Sequence, residues 1–243
     1  MMICFRFVFA LLLGLAMAPA LPVVALSEDA TAAEDINLLG ARELGQGWQV
    51  LGVPGKPETS FHMISGQADE RVLQIEAQDA VGFLYRQIDE AGAYLRWRWQ
   101  VVNMGRPSDL TEVGRDDRPM AVHLWFPKES ETSSIFGGVA ELFGYPRVGR
   151  ALTYVWGGAA DMPRLTGNPY MEEGQGAIVA LRRATDQPEG WFEEVVDYRA
   201  DYEAAFGMYP PRPTHIAISG DSDDLGGFRS GRIADLRFSN SGN

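Results

Sequence analysis

Thiol chemistry is the first thing this sequence lacks. Its single cysteine, Cys4, precedes an apolar run at the N-terminus, so no disulfide can form within the chain and stability must come from a core. Lysine is nearly absent too. Lys56 and Lys128 are the only two, and every other base is arginine, the residue suited to fixed bidentate pairs with carboxylates. Histidine is limited to His62, His123 and His215, with no His-x-His or His-Glu-x-x-His spacing. That excludes the usual zinc patterns and leaves three strand or loop histidines. An uncleaved membrane anchor is the less favoured reading of the apolar runs. The longest, Phe7 to about Ala18, falls short of the roughly 20 residues a spanning helix needs.

That short run carries a different message. Arg6 stands before it, and small residues follow at Ala18, Ala20 and Ala25. A positive charge, a short apolar segment and small residues form the order of a secretory signal peptide, cleaved after Ala20 or Ala25. Residues 1–25 are therefore assigned to a signal peptide, 26–46 to a leader and first segment, and 47–240 to one folded domain. The protein is expected to be exported, periplasmic or extracellular, with no stable membrane insertion after processing. Removing residues 1–25 takes away Arg6 and no acid, leaving 20 basic against 33 acidic residues. Such an acidic chain disfavours nucleic acid and anionic membrane surfaces as partners.

The organising stretch of the domain is Leu95-Arg96-Trp97-Arg98-Trp99-Gln100-Val101. Strict alternation over seven positions predicts a strand with Leu95, Trp97, Trp99 and Val101 in the core and Arg96, Arg98 and Gln100 on a polar face. Around it lie many short strand candidates, among them Val72–Ala77, Val81–Arg86, Met120–Phe126, Ala151–Trp156, Ala177–Arg182, Trp191–Val196, His215–Ser219 and Arg232–Phe238. Turn residues separate them and no βα rhythm appears. The pattern predicts an all-β fold, a jelly-roll-like antiparallel β-sandwich with short helical insertions near 134–143 and 198–206.

Catalytic signatures are missing. Gly220-Asp221-Ser222 looks like the serine block of small lipases, but no histidine follows Ser222 to act as base. No P-loop, G-x-S-x-G or dinucleotide fingerprint stands in a strand-to-helix context. The acidic loop Asp221-Ser222-Asp223-Asp224 offers alternate oxygens beside Gly226 and Gly227. A structural Ca²⁺ on Asp221 and Asp223 is one reading of it, although EF-hand spacing is not met; a solvated turn tied to arginines is the favoured one. No other cofactor and no other metal is implied.

Arg96 and Arg98 require acceptors on the polar face, since an unpaired guanidinium there is costly. Asp116 or Asp117 and Asp221 or Asp223 are the candidates. Tyr154 and Trp156 share a strand face, and Asn168 and Tyr170 flank Pro169; aromatic rings beside an amide and carboxylates suit a sugar. Arg98, Asp117, Tyr154, Trp156, Asn168, Tyr170, Asp221 and Asp223 are thus the candidate ligand site. The function this supports is an exported, non-catalytic binding module for a glycan or similar polar small molecule. The alternative is a polysaccharide-cleaving enzyme, a glycoside hydrolase or lyase, on the same sandwich.

Six ordered blocks between about Gly47 and Phe238 make the chain resemble a family of secreted bacterial proteins catalogued only as a domain of unknown function, numbered 3047. They are Leu95–Trp99, Asp116-Asp117, Ala151–Trp156, Asn168-Pro169-Tyr170, Asp201-Tyr202 before Phe206-Gly207, and Asp221–Asp224. The family pattern often has threonine where this chain has Leu225, which removes an oxygen ligand from the calcium reading. The resemblance implies fold and compartment and brings no activity.

Overall fold

The computed structural model describes residues 47–66, 70–127, 146, 148–186 and 190–242. The helix expected near 134–143, the signal peptide and the leader lie outside the described residues. The strands in chain order are β1 (Trp48–Gly52), β2 (Ser60–Ser65), β3 (Arg71–Gln78), β4 (Val81–Gln87), β5 (Tyr94–Asn103) and β6 (Met120–Phe126). There follow β7 (Arg150–Trp156), β8 (Leu165–Gly167), β9 (Gly176–Arg182), β10 (Phe192–Val196), helix α1 (Tyr198–Phe206), β11 (His215–Asp221) and β12 (Phe228–Ser239).

They form two sheets of a sandwich. One has seven strands in the order β1-β4-β11-β6-β7-β9-β8, the other five in the order β10-β5-β12-β3-β2. The sequence order passes repeatedly between the sheets, as in a jelly roll. One pair departs from the expected antiparallel pattern: β7 and β9 are parallel. The connection between them carries β8, which adds to the outer side of β9 in antiparallel register.

β5 occupies a central place in the five-stranded sheet, between β10 and β12. Its alternation is realised: Leu95, Trp97 and Trp99 are fully buried. Trp97 packs edge-on against Trp99 at 5.3 Å, and Tyr154 and Trp156 of β7 meet them across the sandwich at 5.6 and 5.5 Å. Four aromatic side chains therefore form the centre of the core, each removing a large apolar area from water. Helix α1 starts at Asp197, whose carboxylate accepts from the backbone N–H groups of Arg199 and Ala200, and ends at Gly207 in the left-handed conformation. Tyr198 and Tyr202 anchor it against Phe126.

The seven-stranded sheet is covered on both faces, so β6 has no exposed residue. Met120, Val122, Leu124 and Phe126 enter the central core. Ala121 and Trp125 face the other way, into two smaller clusters built with loop residues such as Leu110, Met162 and Val148. The candidate site lies beside the cluster that contains Trp125, Val148 and Ala151.

Candidate functional site

β6 and β11 are antiparallel neighbours, with Ser219 opposite Ala121. The start of β6 and the end of β11 therefore meet, although about a hundred residues separate them in sequence. This register brings the Asp116-Asp117-Arg118 segment onto the acidic loop that opens at Asp221. Arg118 is the hub. Its backbone N–H donates to Asp221 Oδ1 at 2.6 Å, its Nη2 lies 3.0 Å from Asp221 Oδ2, and its Nη1 lies 2.6 Å from Asp116 Oδ2. All three side chains are at least nine-tenths buried.

Asp117 has a structural task beside them. It is fully buried and accepts from the backbone N–H groups of Asp224 and Leu225 at 3.0 and 2.9 Å. Arg229 Nη2 stands 3.6 Å away. These bonds fix the turn after Asp221, so the positions of Asp223 and Asp224 are set by the fold. Asp223 pairs with Lys56 at 3.1 Å, and Asp224 accepts from the Tyr170 hydroxyl at 2.6 Å. Tyr170 in turn accepts from Gly114 N–H, and its own backbone N–H is bonded by the Asn168 side chain at 2.9 Å.

These groups rim a cavity of about 410 Å³ on the outer face of the seven-stranded sheet. Phe83, His123, Trp125 and Thr153 line it from the strands, with Val148, Ala151 and Met171 to one side. Lys56, Asp116, Asn168, Tyr170, Asp221, Asp223 and Asp224 supply the polar lining. The size and the mixture of an apolar floor with a few fixed polar groups are those of a small-ligand site. His123 is buried between two hydroxyls, with Nδ1 3.0 Å from Thr153 Oγ1 and Nε2 2.8 Å from Ser219 Oγ. The Phe83 ring meets it edge-on at 5.4 Å.

Burial sets the electrostatics. It pushes the Asp221 carboxyl well above the usual carboxylate range, with Arg118 opposing the shift and Asp116 adding to it. It also raises Asp116, against Arg118 and with help from Asp224, and raises Asp223, against Lys56. Desolvation, reinforced by the Arg118 charge, drives His123 well below its ordinary value, so the imidazole is neutral at pH 7. The Tyr170 hydroxyl is raised by burial and by its bond to Asp224, and it remains a donor.

Of the eight residues expected at one site, Asn168, Tyr170, Asp221 and Asp223 come together at this cavity. The others are corrected. Arg98 lies on the five-stranded sheet, ion-paired to Glu70 and, at 3.0 Å, to Asp235. A register shift in β12 after Ala234 puts Asp235 at positive φ beside β5, which supplies the acceptor from within the same sheet. Arg96 pairs with Glu193 on the neighbouring strand β10. Both arginines do have acidic partners, but not the expected ones. Tyr154 and Trp156 are wholly buried in the central core, facing away from the cavity. Asp117 braces the turn behind it. In the acidic loop both oxygens of Asp221 are engaged by Arg118, and Asp223 is engaged by Lys56.

The residues that sequence reasoning missed are Lys56, Phe83, Arg118, His123 and Trp125. His123 and Trp125 alternate with the core residues of β6, a signal that this strand has two buried faces. Arg118 was visible only as the base following two acids.

The family model for a protein of unknown function, DUF3047, matches residues 46–237. The chain belongs to this family. No curated protein matches the DUF3047 chain. Among solved structures it is similar to the K2 cleaved adhesin domain of Lys-gingipain, with a TM-score of 0.38 and 11% identity over 87% of this chain and 94% of that one. The K3 cleaved adhesin domain of Lys-gingipain from Porphyromonas gingivalis W83 gives a TM-score of 0.32 and 10% identity over 78% of this chain and 89% of that one. The enzymatically active domain of tailspike protein 4 from bacteriophage CBA120 gives 0.32 and 10%, over 79% of this chain and 19% of that one. Likeness at this level assigns no site.

Proposed function

We propose that this DUF3047 protein is an exported, non-catalytic binding module whose cavity takes a glycan or a similar polar small molecule. The observation that carries the reading is the preformed cavity, with Phe83 and Trp125 in its lining and a rim of side chains already fixed in place. A rigid rim loses little freedom on binding. Asn168 uses its carbonyl oxygen on Tyr170 and keeps its amide N–H groups for a ligand hydroxyl. Lys56, with 42% of its side chain exposed, offers further donors beside Asp223.

Glycoside cleavage would need one carboxyl to deliver a proton and a second to attack or to activate water. Here Asp116 and Asp221 share Arg118, Asp223 holds Lys56, and Asp224 holds Tyr170. Carboxylates so engaged are frame rather than reagents, which favours binding over the hydrolase or lyase reading. Neither nucleic acid nor a membrane is the partner we assign, because the chain carries a formal net charge of −12. The order of Arg6, apolar run and small residues at the N-terminus supports export to the periplasm or beyond. A glycan array probed with protein lacking residues 1–25 tests the binding; release of new reducing ends from any retained glycan would favour the enzyme.

A further inference from the structure

A second recognition surface lies on the opposite side of the sandwich. His62 of β2 pairs with Gln74 of β3, Gln74 pairs with Arg232 of β12, and Arg232 pairs with Gln100 of β5. All belong to the outward-facing set of their strands, since Leu73, Ile75, Trp99 and Ile233 beside them enter the core. Trp191, just before β10, continues the row beyond Gln100. A row of amides, an imidazole, a guanidinium and an indole therefore runs across the whole five-stranded sheet. A groove of about 590 Å³ shares Trp191, Gln100 and Arg232 with this row and then passes over Val72 and Ile64, two residues along β3 and β2 from Gln74 and His62. Gly66 lies at its β2 end, packed so closely that a Cβ would stand 2.9 Å from Val72 Cγ2.

The chemistry along the track is specific. Arg232 donates from Nε to Gln74 Oε1 at 3.1 Å, and Gln74 donates onward to Glu76. Among the described residues no carboxylate pairs with Arg232, whereas Arg96 and Arg98 on the same face are paired. Its two terminal nitrogens thus form a fork suited to a planar anion. Trp191 is held by the Arg98 guanidinium, 5.3 Å from its ring centre, and Arg98 is itself pinned by Glu70 and Asp235. An indole fixed in this way is a platform on which a sugar ring can stack at low entropic cost. The groove crosses the strands over a face whose backbone groups are used within the sheet, so a peptide could not add as a strand there. Successive strands lie about 4.8 Å apart, which makes the track long enough for several sugar rings.

We infer that this groove is a binding site for an extended, otherwise neutral polysaccharide with isolated acidic sugars, with Arg232 reading one sugar carboxylate and Trp191 stacking a ring; the net charge of −12 disfavours a densely charged polymer. The site is separate from the cavity on the seven-stranded sheet and does not depend on its ligand.

The test is affinity electrophoresis of the folded protein, carrying Asn168→Ala and Trp125→Phe to disable the cavity, through gels containing glucuronoxylan or neutral arabinoxylan, followed by calorimetry with xylo-oligosaccharides bearing one glucuronate. The inference expects retardation by glucuronoxylan, none by arabinoxylan, and weakening with added salt. Arg232→Gln should bind about tenfold more weakly, the loss expected from one charge-assisted contact, and Trp191→Ala should weaken binding as well. Gln100→Ala, a smaller change on the same row, serves if either variant fails to fold. Free migration of the cavity-disabled protein in glucuronoxylan would overturn the inference. So would equal binding when Arg232→Gln or Trp191→Ala is added in folded form, or equal retardation by neutral arabinoxylan.

Discussion

Arg118 and Asp221 hold each other twice, through backbone N–H to Oδ1 at 2.6 Å and through Nη2 to Oδ2 at 3.0 Å. This double contact joins the start of β6 to the end of β11 and seats the acidic loop at the cavity. The pair is almost completely buried, so breaking it leaves an unpaired charge inside the protein.

Arg118→Ala is therefore expected to cost about 3–5 kcal/mol, because both Asp116 and Asp221 lose their cation. Arg98→Ala removes two ion pairs from a side chain one-third exposed and should cost about 0–1 kcal/mol. Urea midpoints of the two variants check the ordering. An Arg98 variant as damaged as the Arg118 variant would refute the buried clasp.

Gly105→Ala should also destabilise. Gly105 has φ of +70°, and a Cβ there would meet Arg229 Cγ at 2.8 Å. Arg229 is itself buried and donates to the Met104 carbonyl and toward Asp117. Strain of about 1–3 kcal/mol is expected at such a position, read as a lowered melting temperature. An unchanged melting temperature would contradict the close approach.

The neutral imidazole of His123 gives a pH signature. Its pKa is depressed in the folded protein, so below about 6.5 the unfolded chain takes up a proton that the native site refuses. Stability from this group is present above that pH and is lost as pH falls, by up to about 1.4 kcal/mol per pH unit. The raised Asp221 carboxyl acts with the opposite sign, since its native state holds a proton more firmly. His123→Asn should flatten the acid limb of the stability profile between pH 6.5 and 5. A variant that keeps the wild-type slope would show that the imidazole is not the group responsible.

Export makes a plain prediction. The mature protein should begin near Leu21 or Leu26, as read by N-terminal sequencing of material recovered outside the cytoplasm. An exported protein that still begins at Met1 or Met2 would mean that the apolar run is an anchor.

The sandwich was legible because period-two alternation is a local signal. Trp97 and Trp99 alternate with arginines, and α1 is framed by Asp197 and Gly207, so neighbouring letters suffice. The site was legible only in part. Asn168-Pro169-Tyr170 and the Asp221–Asp224 loop stand out as turn chemistry, and they do meet at the cavity. Pairing across sheets is not local. The choice between Glu70 with Asp235 and the Asp116–Asp221 group as partners of Arg98 depends on a bulge in β12 that alternation does not encode. Tyr154 and Trp156 share a face, as the sequence said, but either face of β7 would be apolar, because loops cover the outer side of that sheet. A strand buried on both faces gives no indication of which side meets the core.

The central claim is that the cavity beside Asn168 and Trp125 binds a glycan or polar small molecule without cleaving it. The most direct measurement is a glycan array probed with protein lacking residues 1–25, wild type beside Asn168→Ala and Trp125→Phe, each checked for an intact thermal transition. The account predicts retention on a defined set of glycans without acidic sugars by the wild type, with that signal lost in both folded variants and no new reducing ends formed. Retention that is unchanged in both variants, or no retention on any glycan, would contradict it.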